Sequence, residues 1–186
     1  MIYALLDRDA LLKKDISLKY ISEKIEKLNI PIAQYRNKFD SLEEKIEDLK
    51  VIRRYFSGKL IVNDTITLID YADGLHIGQE DIREFSSDLK EAVYLIREKI
   101  GRKILGLSTH NKEEILEANG LDLDYIGLGA YRATSTKKDT QILGEDIFTL
   151  AKLSKHPVAI IGGVKISDKF SKEIKYKVVG SNLYED

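Results

Sequence analysis

Along the 186 residues, short runs of Ile, Val and Leu alternate with longer charged stretches in which apolar residues return every three or four positions. The runs IYALLD, IPIAQYR, KLIVND, ADGLHIG, KILGLST, DYIGLGA, PVAIIGG and YKVVGS have strand length. They are nearly continuously apolar, the pattern of a parallel sheet covered on both faces. Between them SLKYISEKIEKL, SLEEKIEDLKVIRRYF, DLKEAVYLIREKI, KEEILEA and EDIFTLAKL read as helices, TITLIDY as a shorter one and KFSKEIK as a weakly patterned one. Ser41 stands three residues before Glu44 and Asn111 three before Glu114, so both are expected to cap a helix with a reciprocal acid at its third position.

Eight such repeats predict one α/β domain over 1–186, a (β/α)8 TIM barrel. Barrels of this kind usually run to about 250 residues, so this one is minimal. Only Leu183 to Asp186 follow the last strand, and the eighth helix is expected to be missing. An open doubly wound sheet is the alternative architecture. Without that helix the outer faces of strands eight and one need another cover, which predicts either a homodimer or a folding back of Arg8 to Leu18 over them.

Composition narrows the function classes. Thirty basic residues against thirty-one acidic ones leave a net charge of -1, which gives no global field for nucleic acid. The first residues, MIYALLDRDALLKKD, lack the pattern of a signal peptide, and no apolar stretch approaches the roughly 18 residues of a membrane span. The absence of cysteine suits a reducing compartment, and a cytoplasmic protein is expected.

In a barrel of this kind the strand C-termini and the loops after them form the active site. Asp64 ends strand three and Asp81 follows strand four, close enough for both carboxylates to share one mouth. Two acids without a His/Cys cluster suit Mg²⁺ completed by phosphate oxygens and water. Alternatively, Asp64 caps TITLIDY and Asp81 sits in a solvated turn. Gln34, Arg36 and Lys38 alternate at the end of strand two and therefore share a side, where the cations suit phosphate or simply a solvated strand end. After strand six, Thr134, Ser135, Thr136, Lys137 and Lys138 offer hydroxyls and charge to an anion, or form a polar surface turn. Gly162-Gly163 and Gly180-Ser181 follow strands seven and eight, where backbone N–H groups can approach a phosphate, although tight turns also use glycine. His76, inside strand four, is expected to be structural; His110 opens a helix, and His156 lies at a strand start and is given no role.

In order along the chain stand Gln34-Tyr35-Arg36-Asn37-Lys38, Asn63-Asp64, His76-Ile77-Gly78-Gln79-Glu80-Asp81, Ser108-Thr109-His110, Thr134-Ser135-Thr136-Lys137 and Gly162-Gly163. These six motifs, spread over almost the whole length, resemble those of the thiamine-phosphate synthase family. The resemblance implies a Mg²⁺-dependent transferase joining a hydroxymethylpyrimidine diphosphate to a thiazole phosphate, with pyrophosphate as the leaving group. It implies Mg²⁺ on Asp64 and Asp81, and Gln34, Arg36, Lys38, Asn63, Ser108 and Lys137 around the pyrimidine diphosphate. Among these, Arg36, Lys38 and Lys137 would be catalytic. Thr134, Ser135, Thr136, Gly163 and the backbone of Val179 and Gly180 would hold the thiazole phosphate.

Three positions depart from the family pattern. Ala133 stands where a proline usually precedes the T-x-T, Arg132 where an aromatic or small residue is common, and Gly180 where strand eight carries a serine. A related barrel family that isomerises the thiazole phosphate lacks the metal and diphosphate residues and uses a His after strand six. That position here is Ala130. A catalytically silent phosphate-ligand binder descended from the enzyme is the other alternative.

Overall fold

The computed structural model describes residues 1–133 and 141–185. Eight parallel strands close into a barrel in sequence order: β1 (Ile2–Asp7), β2 (Ile32–Arg36), β3 (Lys59–Asn63), β4 (Gly74–Ile77), β5 (Ile104–Thr109), β6 (Tyr125–Leu128), β7 (Val158–Ile160) and β8 (Ile174–Val179). β8 pairs with β1 through Tyr3 opposite Val178 and Ala4 opposite Val179, so the open-sheet alternative is excluded. The helices are α1 (Arg8–Lys13), α2 (Leu18–Lys27), α3 (Leu42–Tyr55), α4 (Gln79–Ile82), α5 (Leu89–Ile100), α6 (Lys112–Ala118) and α7 (Asp146–Ala151), with 3-10 turns over Ile66–Tyr71 and Ser181–Tyr184.

The strand alternation divides the core in two. Ala4, Leu6, Leu60, Val62, Leu75, Leu105, Leu107 and Val179 face outward into the layer beneath the helices, while Tyr3, Leu5, Ile32, Ile61, Tyr125, Ala159 and Val178 fill the barrel. Tyr3, Tyr125 and Tyr176 meet edge to face inside it, with ring centroids 5.8–6.0 Å apart. Gly106 makes room for this packing, since a Cβ there would lie 2.2 Å from the Tyr125 ring. Both expected N-caps form, but the reciprocal bond only at the first, since the Glu114 carboxylate accepts from the His110 N–H at 2.8 Å and not from that of Asn111. Ser41 accepts from the Glu44 N–H while Glu44 accepts from the Ser41 N–H, and Asn111 accepts from the Glu114 N–H.

Among the described residues no helix lies between β7 and β8. KFSKEIK is not helical: Ile174 already begins β8, and the connection from β7 runs as turns and coil. Its amphipathic pattern is only seven residues long, too short to nucleate without a packed face. After β8 the Ser181–Tyr184 turn buries Leu183 and Tyr184, and α1 buries Leu11 in the same outer layer as Ala4, Leu6 and Val179. The Ser181–Tyr184 turn thus covers part of the outer face of β1, where Ala4 and Leu6 are fully buried. Tyr184 fastens the turn by donating to the Leu5 carbonyl and accepting from the Asp7 N–H at 2.9 Å.

Candidate active site

A cavity of about 220 Å³ opens at the C-terminal ends of the strands. Its lining follows from the inward phase of each strand: Gln34 and Arg36 from β2, Asn63 from β3, His76 from β4, Ser108 from β5 and Val178 from β8. Lys38, Asp64, Gly163 and Gly180 join from the loops and Asp81 from α4. Val179 does not, because it has the outward phase and is fully buried against the helices. Only its backbone is left to reach a ligand. Thr134, Ser135, Thr136 and Lys137 lie outside the described residues.

Asp64 is the hub of one side. Its backbone is left-handed, φ 56°, held there by its N–H donating to the His76 carbonyl at 2.8 Å. The carboxylate accepts from the Gly78 N–H at 3.0 Å and from the Asn63 amide, and the Lys38 ammonium lies 3.7 Å away. It caps no helix: the turn over Ile66–Tyr71 is entered through Thr65 without a side-chain hydrogen bond. Asp81 stands in the first turn of α4. A Cβ placed on Gly78 would lie 2.7 Å from the Asp81 carboxylate and 3.7 Å from that of Asp64, so the two acids flank the same glycine. Burial, and next the Asp81 charge, push the Asp64 carboxyl above its usual range, against the Gly78 N–H, Lys38 and Asn63. The Asp81 carbonyl accepts from the Glu84 N–H at 3.3 Å, but no hydrogen bond or ion pair of the Asp81 carboxylate occurs among the described residues. Two crowded carboxylates, one of them unpaired, are a donor set for a hard divalent cation, although no group of three or more potential ligands occurs among the described residues.

On the next strand Arg36 donates to Asp7, a buried acid at the end of β1 that also caps α1 by accepting from the Ala10 N–H at 3.0 Å. The sequence reading passed over Asp7. Its signal was a carboxylate at a strand end in register with Arg36.

At the floor of the mouth the Ser108 hydroxyl lies 2.9 Å from His76 Nε2, His76 Nδ1 lies 2.9 Å from the Tyr125 hydroxyl, and that hydroxyl lies 2.9 Å from Tyr3. Burial lowers the imidazole to about 4, so it is neutral at pH 7. The expected structural role of His76 therefore has a specific content, the holding of Ser108. Gly127 leaves the space, since a Cβ there would be 2.9 Å from the imidazole Cε1. His110 is paired with Glu114 at 3.0 Å, and His156 reaches the Ala118 carbonyl at 2.9 Å.

The far side of the mouth is built of backbone. Gly162 and Gly163 both take positive φ, 95° and 59°, and let this loop pass close against the β6 loop: a β-carbon on Gly162 would lie 2.6 Å from Ala130 and one on Gly163 2.7 Å from Arg132. Ala130 itself lines the cavity where an isomerase would need its histidine.

The sequence model of the family described as thiamine monophosphate synthase matches residues 2–175. The chain belongs to that family. It is 35% identical over 166 residues to the thiamine-phosphate synthase of Persephonella marina, covering 83% of this chain and 75% of that protein. It is 41% identical over 143 residues to the thiamine-phosphate synthase of Methanosarcina barkeri, covering 72% of this chain and 60% of that one. The chain thus spans between three fifths and three quarters of the length of these relatives. A solved thiamine phosphate pyrophosphorylase from Pyrococcus furiosus superposes with a TM-score of 0.76 at 24% identity, covering 97% of this chain and 85% of the other, which supports the barrel. Family membership implies phosphorylated small molecules as substrates. No helix among the described residues is long and apolar enough to cross a membrane.

Proposed function

We propose that the protein condenses 4-amino-2-methyl-5-hydroxymethylpyrimidine diphosphate with a thiazole phosphate, giving thiamine phosphate and pyrophosphate. The observation that carries the reading is the flanking of Gly78 by Asp64 and Asp81, with Lys38 and Asn63 on Asp64 and Arg36 on the adjacent strand. Asp64 and Asp81 would hold Mg²⁺, which supplies neutralising charge to a diphosphate when bound.

In this reading the bond between the pyrimidine methylene and the diphosphate oxygen breaks, and both its electrons leave with pyrophosphate. Arg36, Lys38, Asn63 and Lys137 stabilise the charge that grows on the departing oxygens. The electron-rich aminopyrimidine supports the cation left behind, and the thiazole nitrogen then forms the new C–N bond. No protein atom is covalently modified. Gln34 is 4% exposed and lines the mouth, and Ser108 is fixed by His76, so these two would orient the pyrimidine ring. Gly163, Gly180 and the Val179 backbone, with Thr134, Ser135 and Thr136, would hold the thiazole phosphate.

We place this reaction in the cytoplasm, which the cysteine-free composition suits. A homodimer is retained as the cover for whatever the Ser181–Tyr184 turn leaves open on the outer faces of β8 and β1.

The test is to incubate the protein with both substrates and Mg²⁺ and to follow thiamine phosphate and pyrophosphate. Equal yields of the two products are expected. Binding of both substrates without product would overturn the reading in favour of a silent binder.

A further inference from the structure

The β7 loop has no helix behind it. This loop offers a phosphate no helix N-terminus, only its own backbone N–H groups. Those of Gly162, Gly163 and Val164 have no acceptor among the described residues, and all three residues line the mouth. A coil of this kind holds a cradle only if something fixes it from outside.

Arg132 is placed to do so. The β6 and β7 loops run on as a ladder past their strands: the Tyr131 N–H donates to the Ile161 carbonyl at 2.8 Å and the Arg132 N–H to the Gly162 carbonyl at 3.0 Å. The Arg132 guanidinium then donates from one terminal nitrogen to Asp168 Oδ2 at 2.7 Å and to the Gly163 carbonyl at 3.1 Å. From the other it donates to Asp168 Oδ1 at 3.2 Å and to the Tyr131 hydroxyl at 3.3 Å. It lies 4.2 Å from the centre of the Tyr131 ring, which in turn packs edge to face on Phe148 and Phe170. Asp168 is fixed from its own side, accepting from the Lys165 N–H at 2.8 Å through its side chain and from the Lys177 ammonium at 2.9 Å through its carbonyl.

Both ends of the guanidinium are therefore committed within the protein, and its charge is matched by a bidentate carboxylate. Because a trans peptide is planar, holding the Gly163 carbonyl on the Arg132 side turns the Val164 N–H to the opposite side. Lysine could supply the charge but not this fork.

We propose that the Arg132–Asp168 pair is a latch joining the β6 and β7 loops, and that Arg132 is a positioning residue, not a ligand, for the phosphate monoester of the acceptor substrate. The proposal rests on reading the glycine turn as that phosphate site.

Two measurements test it: the KM for each substrate, and calorimetric binding of inorganic phosphate, which needs no turnover. Arg132→Ala and Asp168→Asn should each raise the thiazole phosphate KM and the phosphate Kd about tenfold or more, leave the pyrimidine diphosphate KM within about twofold, and be no worse combined than singly. Arg132→Lys should resemble Arg132→Ala. If Asp168→Asn tightens phosphate while Arg132→Ala weakens it, Arg132 is a direct ligand and the latch is wrong. Unchanged constants in both variants, or no phosphate binding by the unaltered protein, also overturn it. Thermal unfolding shows whether each variant is folded, and Arg132→Lys carries the test should Asp168→Asn fail to fold. A protein that makes no thiamine phosphate, yet loses phosphate affinity in these variants, would refute the synthase reading and leave the latch standing.

Discussion

Asp7 and Arg36 face each other across the β1–β2 ladder, and the buried carboxylate of the first accepts a hydrogen bond from the guanidinium of the second. This fixes the direction in which Arg36 enters the mouth. Asp7→Asn keeps the size and the cap of α1 but loses the charge that holds the guanidinium. Turnover should fall about 10–100-fold, mainly through kcat, since a displaced arginine acts most weakly where charge develops on the leaving group. Steady-state kinetics with thermal unfolding as a control checks this. A change confined to stability would mean that Asp7 only supports the fold.

The paired acids make a different prediction. If Asp64 and Asp81 act on one Mg²⁺, Asp64→Asn and Asp81→Asn should each abolish most Mg²⁺-dependent turnover, by about 100-fold or more, and the double variant should be little worse than the poorer single one. Near-normal rates in either single variant would refute the shared site. Measuring rate against Mg²⁺ concentration for all three separates the outcomes.

His76 sets a pH limit on stability. Its ordinary value is near 6.5, and burial brings it to about 4 in the folded chain. The folded state therefore disfavours the proton. The stability that neutral His76 contributes is fully present above about 6.5 and is lost as pH falls towards about 4. Urea unfolding at stepped pH should show this slope. His76→Gln should flatten it and should also lower kcat by releasing Ser108, whereas Tyr125→Phe should lower kcat with the fold kept. A Tyr125→Phe enzyme with unchanged kcat would mean that the chain below Ser108 is packing only.

How much of this was legible follows from periodicity. Strand alternation is a short-range property, so Gln34, Arg36 and Lys38 could be put on one side from spacing alone, whereas Asn63 and Ser108 came only with the family resemblance; all five line the mouth. The same rule, counted from Gly180, puts Val179 on the outer face, as found. What spacing could not give was pairing at a distance. Tyr125 meets His76 across 49 positions, Arg132 meets Asp168 across 36, and Tyr184 reaches Leu5 across 179. Nor did it locate the missing helix after β7, because KFSKEIK carries an apolar spacing that a strand start at Ile174 satisfies equally well.

Gly78 provides the most direct test of the opening between the acids. It enters α4 as the N-cap with φ -80°, a conformation that any residue adopts, so its identity is not demanded by the backbone. The demand is spatial. A methyl group there would lie 2.7 Å from the Asp81 carboxylate oxygen, closer than a β-carbon contact can be, and would come into ordinary contact with Asp64. Gly78→Ala should therefore fold, since φ is unstrained and exchanging an N-cap glycine for alanine costs only about 1 kcal/mol, with Asp81 pushed away from Asp64. The Mg²⁺ concentration for half-maximal rate should rise about tenfold or more, while the thiazole phosphate KM stays within about twofold, because the distortion is confined to one side of the mouth. Titrating Mg²⁺ at saturating substrates measures the first quantity and varying the thiazole at saturating Mg²⁺ the second. A normal Mg²⁺ requirement in Gly78→Ala would mean that the separation of the two carboxylates does not matter to the metal, and the shared site would fall with it.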